Sequence, residues 1–156
     1  MTDLPDDDSL LRLENQTCFR LYAASRAITK VYQPLLAGID LTYPQYLVML
    51  VLWQERDGIT IRELGQRLML DSGTLSPLLK RLATKRLLEK KRGKKDEREV
   101  YVSLTDEGTA LKKKARQIPE FLLCQALERQ LPLREINGRL DQLLDFLAPK
   151  PFKDVV

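Results

Sequence analysis

The chain has 156 residues, of which 44% are hydrophobic and 31% charged, the balance of one soluble domain with a core of its own. It contains no histidine, which removes Ser-His-Asp and Cys-His catalysis together with the commonest zinc ligand. Its two cysteines, Cys18 and Cys124, are too remote for a CxxC motif or a secreted disulfide framework, and no glycine-rich phosphate cradle occurs, so no enzyme, metal or cofactor is expected.

The first eight residues, MTDLPDDD, are acidic where a secretory leader is basic. The longest apolar run, Tyr46 to Trp53, is too short to span a bilayer. A cytoplasmic protein with reduced thiols and no membrane partner is expected. From Ser9, read as an N-cap, Leu10, Leu13, Thr17, Leu21, Ala24, Ile28, Val31 and Leu35 recur at spacings of three and four. That spacing predicts one long amphipathic helix ending near Pro34 to Gly38. A second helix is expected over TYPQYLVMLVLWQE, with Pro44 in its first turn, where a missing N–H costs nothing, and with RDG closing it.

Thr60 and Glu63 read as a capping box opening a short helix that buries Ile61, Leu64 and Leu68. After a turn at LDSG, the stripe Leu75, Leu78, Leu79 and Leu82 predicts another helix. Its opposite face carries Gly73, Pro77, Lys80 and Thr84, flanked by Ser76 and Arg81. VYVSLT (100–105) alternates as a strand does, and with LLEKKRG and the charged turn KKDERE it predicts a basic-tipped hairpin. Thr105, Asp106 and Glu107 open the next helix with a cap and dipole-matched acids. That helix is expected to bend or restart at Pro119. A last helix starts near Pro132 and carries Leu133, Ile136, Leu140, Leu143, Leu144 and Leu147.

The charge is concentrated. Ten bases between Lys80 and Arg98 face three acids, so that stretch carries +7 and the rest of the +4 chain carries −3. Such density points to a polyanion. Short helix, turn, helix with a polar and basic outer face, then a basic-tipped hairpin is the order of a winged helix-turn-helix. The alternative is a small α+β domain with a basic patch. The expected fold is thus mainly α (α+β), a winged helix-turn-helix with long N- and C-terminal helices forming a dimerisation region. Residues 1–38 form the acidic tail and first dimerisation helix, 39–108 the DNA-binding domain, and 109–156 the helices completing the dimer. Candidate DNA contacts are Ser72, Thr74, Ser76, Lys80 and Arg81 on the recognition helix and Arg92, Lys94, Lys95, Asp96 and Arg98 in the wing. Asp96 is expected to orient Arg98 as a salt-bridge partner. The apolar seams of the terminal helices call for a homodimer, which would set two recognition helices roughly 34 Å apart on a pseudo-palindromic double-stranded operator.

TIRELGQRLMLDSGTLSPLLKRLATKRLLEKKRGKKDEREVYVSLTDEG (60–108) resembles the winged-helix core of MarR-type transcriptional regulators, most specifically in Asp96-x-Arg98 and VSLTDEG. NQTCFRLYAASRAITKVYQPLL followed by LTYPQYLVMLVLW is similar to the organic-hydroperoxide-resistance repressors, the OhrR subfamily. The resemblance implies that Cys18 is a peroxide-sensing cysteine, that Tyr32 and Tyr43 hydrogen-bond to its sulfur, and that oxidation by organic hydroperoxide releases a reduced dimer from DNA. Members with a second cysteine near the position of Cys124 form a disulfide between subunits, which implies the two-cysteine type and a resolving role for Cys124. Helical spacing adds one constraint. Fourteen residues at 1.5 Å each separate Cys18 from Tyr32 by about 21 Å on nearly the same face, so a contact between them has to cross a dimer.

The residues also allow simpler readings. A free cysteine is ordinarily a small core residue, Cys124 sits among Phe121, Leu122, Leu123 and Leu127, and Tyr22 fits a core as well as a pocket. Two rival functions remain: a MarR-type regulator answering a small phenolic ligand, and a thiol peroxidase, for which a basic wing has no use.

Overall fold

The computed structural model describes residues 7–55, 57–93, 96 and 98–147. The acidic tail before residue 7, Lys94 and Lys95 of the expected wing tip, and the chain after residue 147 lie outside the described residues.

The N-terminal helix is not continuous. A single turn, α1 (Asp7–Leu10), is followed by a 3-10 turn over Leu13–Asn15, and the long helix α2 runs over Thr17–Ala37. The reason lies in two amides. Asn15 Nδ2 donates to the Ser9 carbonyl at 2.9 Å and to the Ser9 hydroxyl at 3.1 Å, and Gln16 Nε2 donates to the Leu10 carbonyl. Side chains thus take carbonyls that a continuous helix would have used. Ser9 is an acceptor inside α1 and not the cap of the long helix.

Helix α3 (Tyr43–Leu52) has Pro44 in its first turn as expected, and the buried Gln45 side chain accepts the Thr42 N–H at 3.0 Å. It stops at Leu52, before the RDG sequence. Strand β1 (Ile59–Thr60) was not foreseen, because two residues are too short for alternation to register. Helix α4 (Ile61–Leu68) begins at the predicted capping box: Glu63 N donates to Thr60 Oγ1 and Thr60 N to Glu63 Oε2, both at 3.1 Å. Helix α5 (Ser72–Thr84) is capped by Asp71, whose carboxylate accepts both the Thr74 N–H at 2.9 Å and its hydroxyl at 2.8 Å.

Strands β2 (Leu88–Arg92) and β3 (Val100–Leu104) form the hairpin, with Leu88 opposite Leu104 and Arg92 opposite Val100. β1 adds to the other edge of β3, Ile59 opposite Val102, giving the antiparallel order β1-β3-β2. Helix α6 (Asp106–Ala115) opens on the Thr105 cap. Its third residue is Gly108 because a Cβ there would stand 1.9 Å from the Leu87 carbonyl oxygen. Helix α7 (Gln117–Glu128) restarts at Arg116, earlier than the expected break at Pro119. Pro119 has no N–H for the Ala115 carbonyl four residues back, so the ladder fails where α6 ends. Helix α8 (Leu133–Leu147) follows.

Four helices, α2, α4, α5 and α7, end in the same way. Asp40, Met69, Arg86 and Gln130 take left-handed backbone (φ 51, 53, 59 and 54°), and paired N–H groups return to the last turn, as in Leu41 N to Leu36 O and Leu87 N to Leu82 O. None is glycine, so each bears a conformational cost on the order of 1 kcal/mol.

The core lies between the end of α2, helices α3 to α6 and the sheet. Leu36, Tyr46, Val48, Met49, Leu52, Leu64, Leu75, Leu79, Leu82 and Val102 are essentially inaccessible. Each large apolar side chain so buried contributes about 1.5–3 kcal/mol. The outer helices differ. α2 buries only Leu36, α7 only Ile118, and α8 buries nothing.

Candidate nucleic-acid interface and thiol site

The buried stripe of α5, Leu75, Leu79 and Leu82, fixes its opposite face outward. Ser72, Gly73, Thr74, Ser76, Pro77, Lys80, Arg81 and Thr84 are all exposed there. Thr74 is already bound to Asp71 through its hydroxyl, which leaves that oxygen as an acceptor, whereas Ser72, Ser76, Lys80 and Arg81 offer donors. Arg92 ends β2, and Arg98 and Asp96 are exposed beyond it. Asp96 Oδ1 accepts the Arg98 backbone N–H at 2.9 Å, so the carboxylate shapes the turn rather than pairing with the guanidinium as expected. Gly93 N to Glu99 O at 2.8 Å closes the base of the loop. Among the described residues, no group of three or more cysteine or acidic side chains is arranged to hold a metal ion, and no helix is long and apolar enough to cross a membrane.

Cys18 lies in the first turn of α2 and is exposed, as is Cys124 on α7; both are free thiols. Neither is buried in the single chain. Tyr22, one turn past Cys18, is 57% exposed, and Arg26 donates to its hydroxyl at 2.9 Å while lying 5.5 Å from the ring centre.

Tyr32 and Tyr43 do come together. Their ring centres are 4.8 Å apart, with Tyr32 on α2 and Tyr43 at the start of α3. The sequence reading missed Tyr46, 5.8 Å from Tyr32, and Trp53, 6.2 Å from Tyr46, which extend the row into the core. The three-residue step from Tyr43 to Tyr46 on one helix face was the available signal. Burial raises the pKa of Tyr32, and the neighbouring Tyr43 raises it further; burial raises Tyr43 and Tyr46 as well. Both phenols of the Tyr32–Tyr43 pair therefore stay protonated at neutral pH and can donate. They line a cleft of about 650 Å³ whose walls include Val31, Leu122, Leu123 and Arg129, the last three from α7 and its end. Cys124 is the next residue along α7 from Leu123.

A family model described as "Transcriptional regulator SarA/Rot" matches residues 30–115, from the last turns of α2 through α6. The chain is 46% identical to the organic hydroperoxide resistance transcriptional regulator of Bacillus subtilis over 140 residues, 90% of this chain and 95% of that one. The chain belongs to this family of MarR-type winged-helix regulators, in its organic-hydroperoxide-resistance branch. Among solved structures, reduced AbfR bound to DNA, a Staphylococcus epidermidis protein, is 32% identical with a TM-score of 0.77, covering 91% of this chain and 99% of that one. Its disulfide form is 33% identical, with a TM-score of 0.60 over 90% and 95%. The SarA/Rot family model covers neither cysteine. It speaks for the winged helix, while the Bacillus relative spans the thiol region too.

Proposed function

We propose that this regulator is a homodimeric repressor whose hold on a pseudo-palindromic operator depends on the oxidation state of Cys18. Residues 39–108 bind DNA through Ser72, Thr74, Ser76, Lys80 and Arg81 in the major groove and through the wing residues Arg92, Lys94, Lys95, Asp96 and Arg98. Residues 1–38 and 109–156 form the dimer and carry the sensor. The observation that most supports the dimer is α8, a helix of fifteen residues with none buried, whose Ile136, Leu140, Phe146 and Leu147 stand exposed in the single chain.

The chemistry is a two-step oxidation. The Cys18 thiolate attacks the terminal oxygen of an organic hydroperoxide; the O–O bond breaks, the alkoxide leaves and takes a proton from water to become the alcohol, and the sulfur becomes a sulfenic acid. The Cys124 thiol of the other subunit then displaces water from that sulfur and forms the disulfide. Tyr32 and Tyr43 donate hydrogen bonds to the thiolate from across the dimer, since Tyr32 and Cys18, fourteen residues apart on the one helix α2, are about 21 Å apart and cannot meet within one chain. The adjacent protonated phenols support the assignment of Tyr32 and Tyr43. AbfR has been solved bound to DNA both reduced and overoxidised, and separately in a disulfide form, which supports the disulfide, more than oxidation of one sulfur, as the releasing step. Binding DNA puts the protein in the cytoplasm, where thiols are kept reduced.

A gel shift on a palindromic operator tests the reading with wild-type, Cys18→Ser and Cys124→Ser proteins, each with and without an organic hydroperoxide. Wild type should be released and Cys18→Ser should stay bound. Cys124→Ser should run as monomer on a non-reducing gel after oxidation, where wild type runs as a linked dimer. Release of Cys18→Ser at the wild-type peroxide concentration would sink the redox reading in favour of a ligand-driven one.

A further inference from the structure

Lys85, the residue on which α5 ends, reaches back to the end of α2. Its Nζ donates to the Asp40 backbone carbonyl and pairs with Asp40 Oδ2 at 2.8 Å, across 45 positions of sequence. Asp40 closes the helix that carries Cys18 and Tyr32, and it stands three residues before Tyr43. It does so in left-handed backbone (φ 51°), where glycine would sit without strain. The carboxylate is what an aspartate brings to that position and glycine would not. The ammonium also lies at the C-terminal end of α2, where the unpaired carbonyls favour a cation. On its other side the end of α5 is held by Thr105, whose hydroxyl donates to the Arg86 carbonyl at 2.6 Å and whose N–H donates to the Leu87 carbonyl at 3.2 Å. The C-terminus of the recognition helix is thus clamped between the end of the sensor helix and the start of α6.

Resting on the redox reading above, we infer that Asp40 and Lys85 are positioning residues through which the thiol site sets the angle of the recognition helix. The Tyr32–Tyr43 pair straddles the α2–α3 turn, so displacing either ring displaces Asp40, and Lys85 carries that movement into α5. The Asp40 carboxylate is 89% exposed, so its charge attraction in water is weak, and the contact works by geometry more than by binding strength. Lys85 differs in this from Lys80 and Arg81. Its ammonium is spent on Asp40 and contributes no phosphate contact.

The test uses the full-length protein with Asp40→Gly, Lys85→Met and both together. Operator affinity is measured for reduced and hydroperoxide-treated protein across a salt series, alongside thermal melting. Asp40→Gly should melt at or above wild type, because glycine relieves the left-handed strain. Each single variant should bind the operator in the reduced state about threefold to tenfold more weakly, and the ratio of reduced to oxidised affinity should shrink by a similar factor. The double variant should be no worse than either single one. The salt dependence should keep its slope. An equal loss in both oxidation states, leaving the ratio intact, would make the pair merely structural and overturn the inference. A slope reduced by about one for Lys85→Met alone would make Lys85 a phosphate contact and overturn it too. Failure of the redox reading has a separate signature, release of Cys18→Ser by hydroperoxide, and that result removes both.

Discussion

The winged core and the outer helices solve burial differently. In the core, the stripe of α5, the middle of α3 and Val102 of β3 close on one another within a single chain, and their polar ends are capped by Thr60, Asp71 and Thr105. In the outer layer, α2, α7 and α8 carry apolar seams of similar length but leave Ile28, Val31, Leu123, Leu127, Ile136 and Leu140 exposed. The first region closes its apolar surface within one chain; the second leaves much of its own uncovered. Under the redox reading proposed above, a signal from the second reaches the first through the places where they touch, the Tyr32–Tyr43 pair and the end of α2 among them.

The sharpest way to break that contrast is a pair of truncations. Leu79→Ala empties a site with no exposure and should cost about 2–5 kcal/mol in a denaturant titration. Ile136→Ala, on α8, should cost within about 0.5 kcal/mol when the chain is held dilute enough to be monomeric. Equal costs would mean that α8 belongs to the single-chain core.

The next effect is on assembly. Replacing both Ile136 and Leu140 by Asp puts charge on the α8 seam while removing nothing from the winged core. Sedimentation should report a monomer, and operator affinity should fall by about a hundredfold, because a dimer gains its second half-site at high effective concentration. A variant that stays dimeric would move the interface off α8. A smaller effect separates a base of the DNA-binding region from one outside it. Arg92→Ala should weaken binding to every sequence and lower the slope of log affinity against log salt by about one, whereas Arg26→Ala on α2 should leave the slope unchanged.

The same contrast explains what could be read from the sequence. The winged helix was legible because each of its elements except the two-residue β1 announces itself locally. The Thr60–Glu63 box, the α5 stripe and the alternating β3 are short-range patterns enforced by burial within one chain. The N-terminal helix was misread because Leu10 and Leu13 keep the helical period while Asn15 and Gln16 divert its carbonyls, a side-chain competition that periodicity does not record. The tyrosine pair was placed by resemblance, and its extension to Tyr46 and Trp53 needed α3 packed on α2. The Asp40–Lys85 contact had no signal at all, since it joins two helix ends far apart in the chain.

The smallest effect is in pH, and it separates the regions by sign. In the winged core, the Thr60 hydroxyl and then its N–H hold Glu63 below its ordinary pKa of 4.5, with burial opposing and Arg67 assisting. A depressed folded-state pKa stabilises above the unfolded value and is lost as pH falls through the folded one. The stability difference between wild type and Glu63→Gln should therefore be constant above about pH 5 and close as the solution is acidified further. The paired tyrosines of α2 and α3 behave oppositely. Burial raises Tyr32 and Tyr43 above 10.0, so the fold favours the neutral phenols. Their contribution is complete below pH 10 and declines as pH rises through the raised values. Tyr43→Phe should flatten the alkaline limb of a melting-temperature profile and leave the acid limb alone, while Glu63→Gln should do the reverse. If both substitutions act on the same limb, the two regions do not titrate independently, and the division between core and outer layer is drawn in the wrong place.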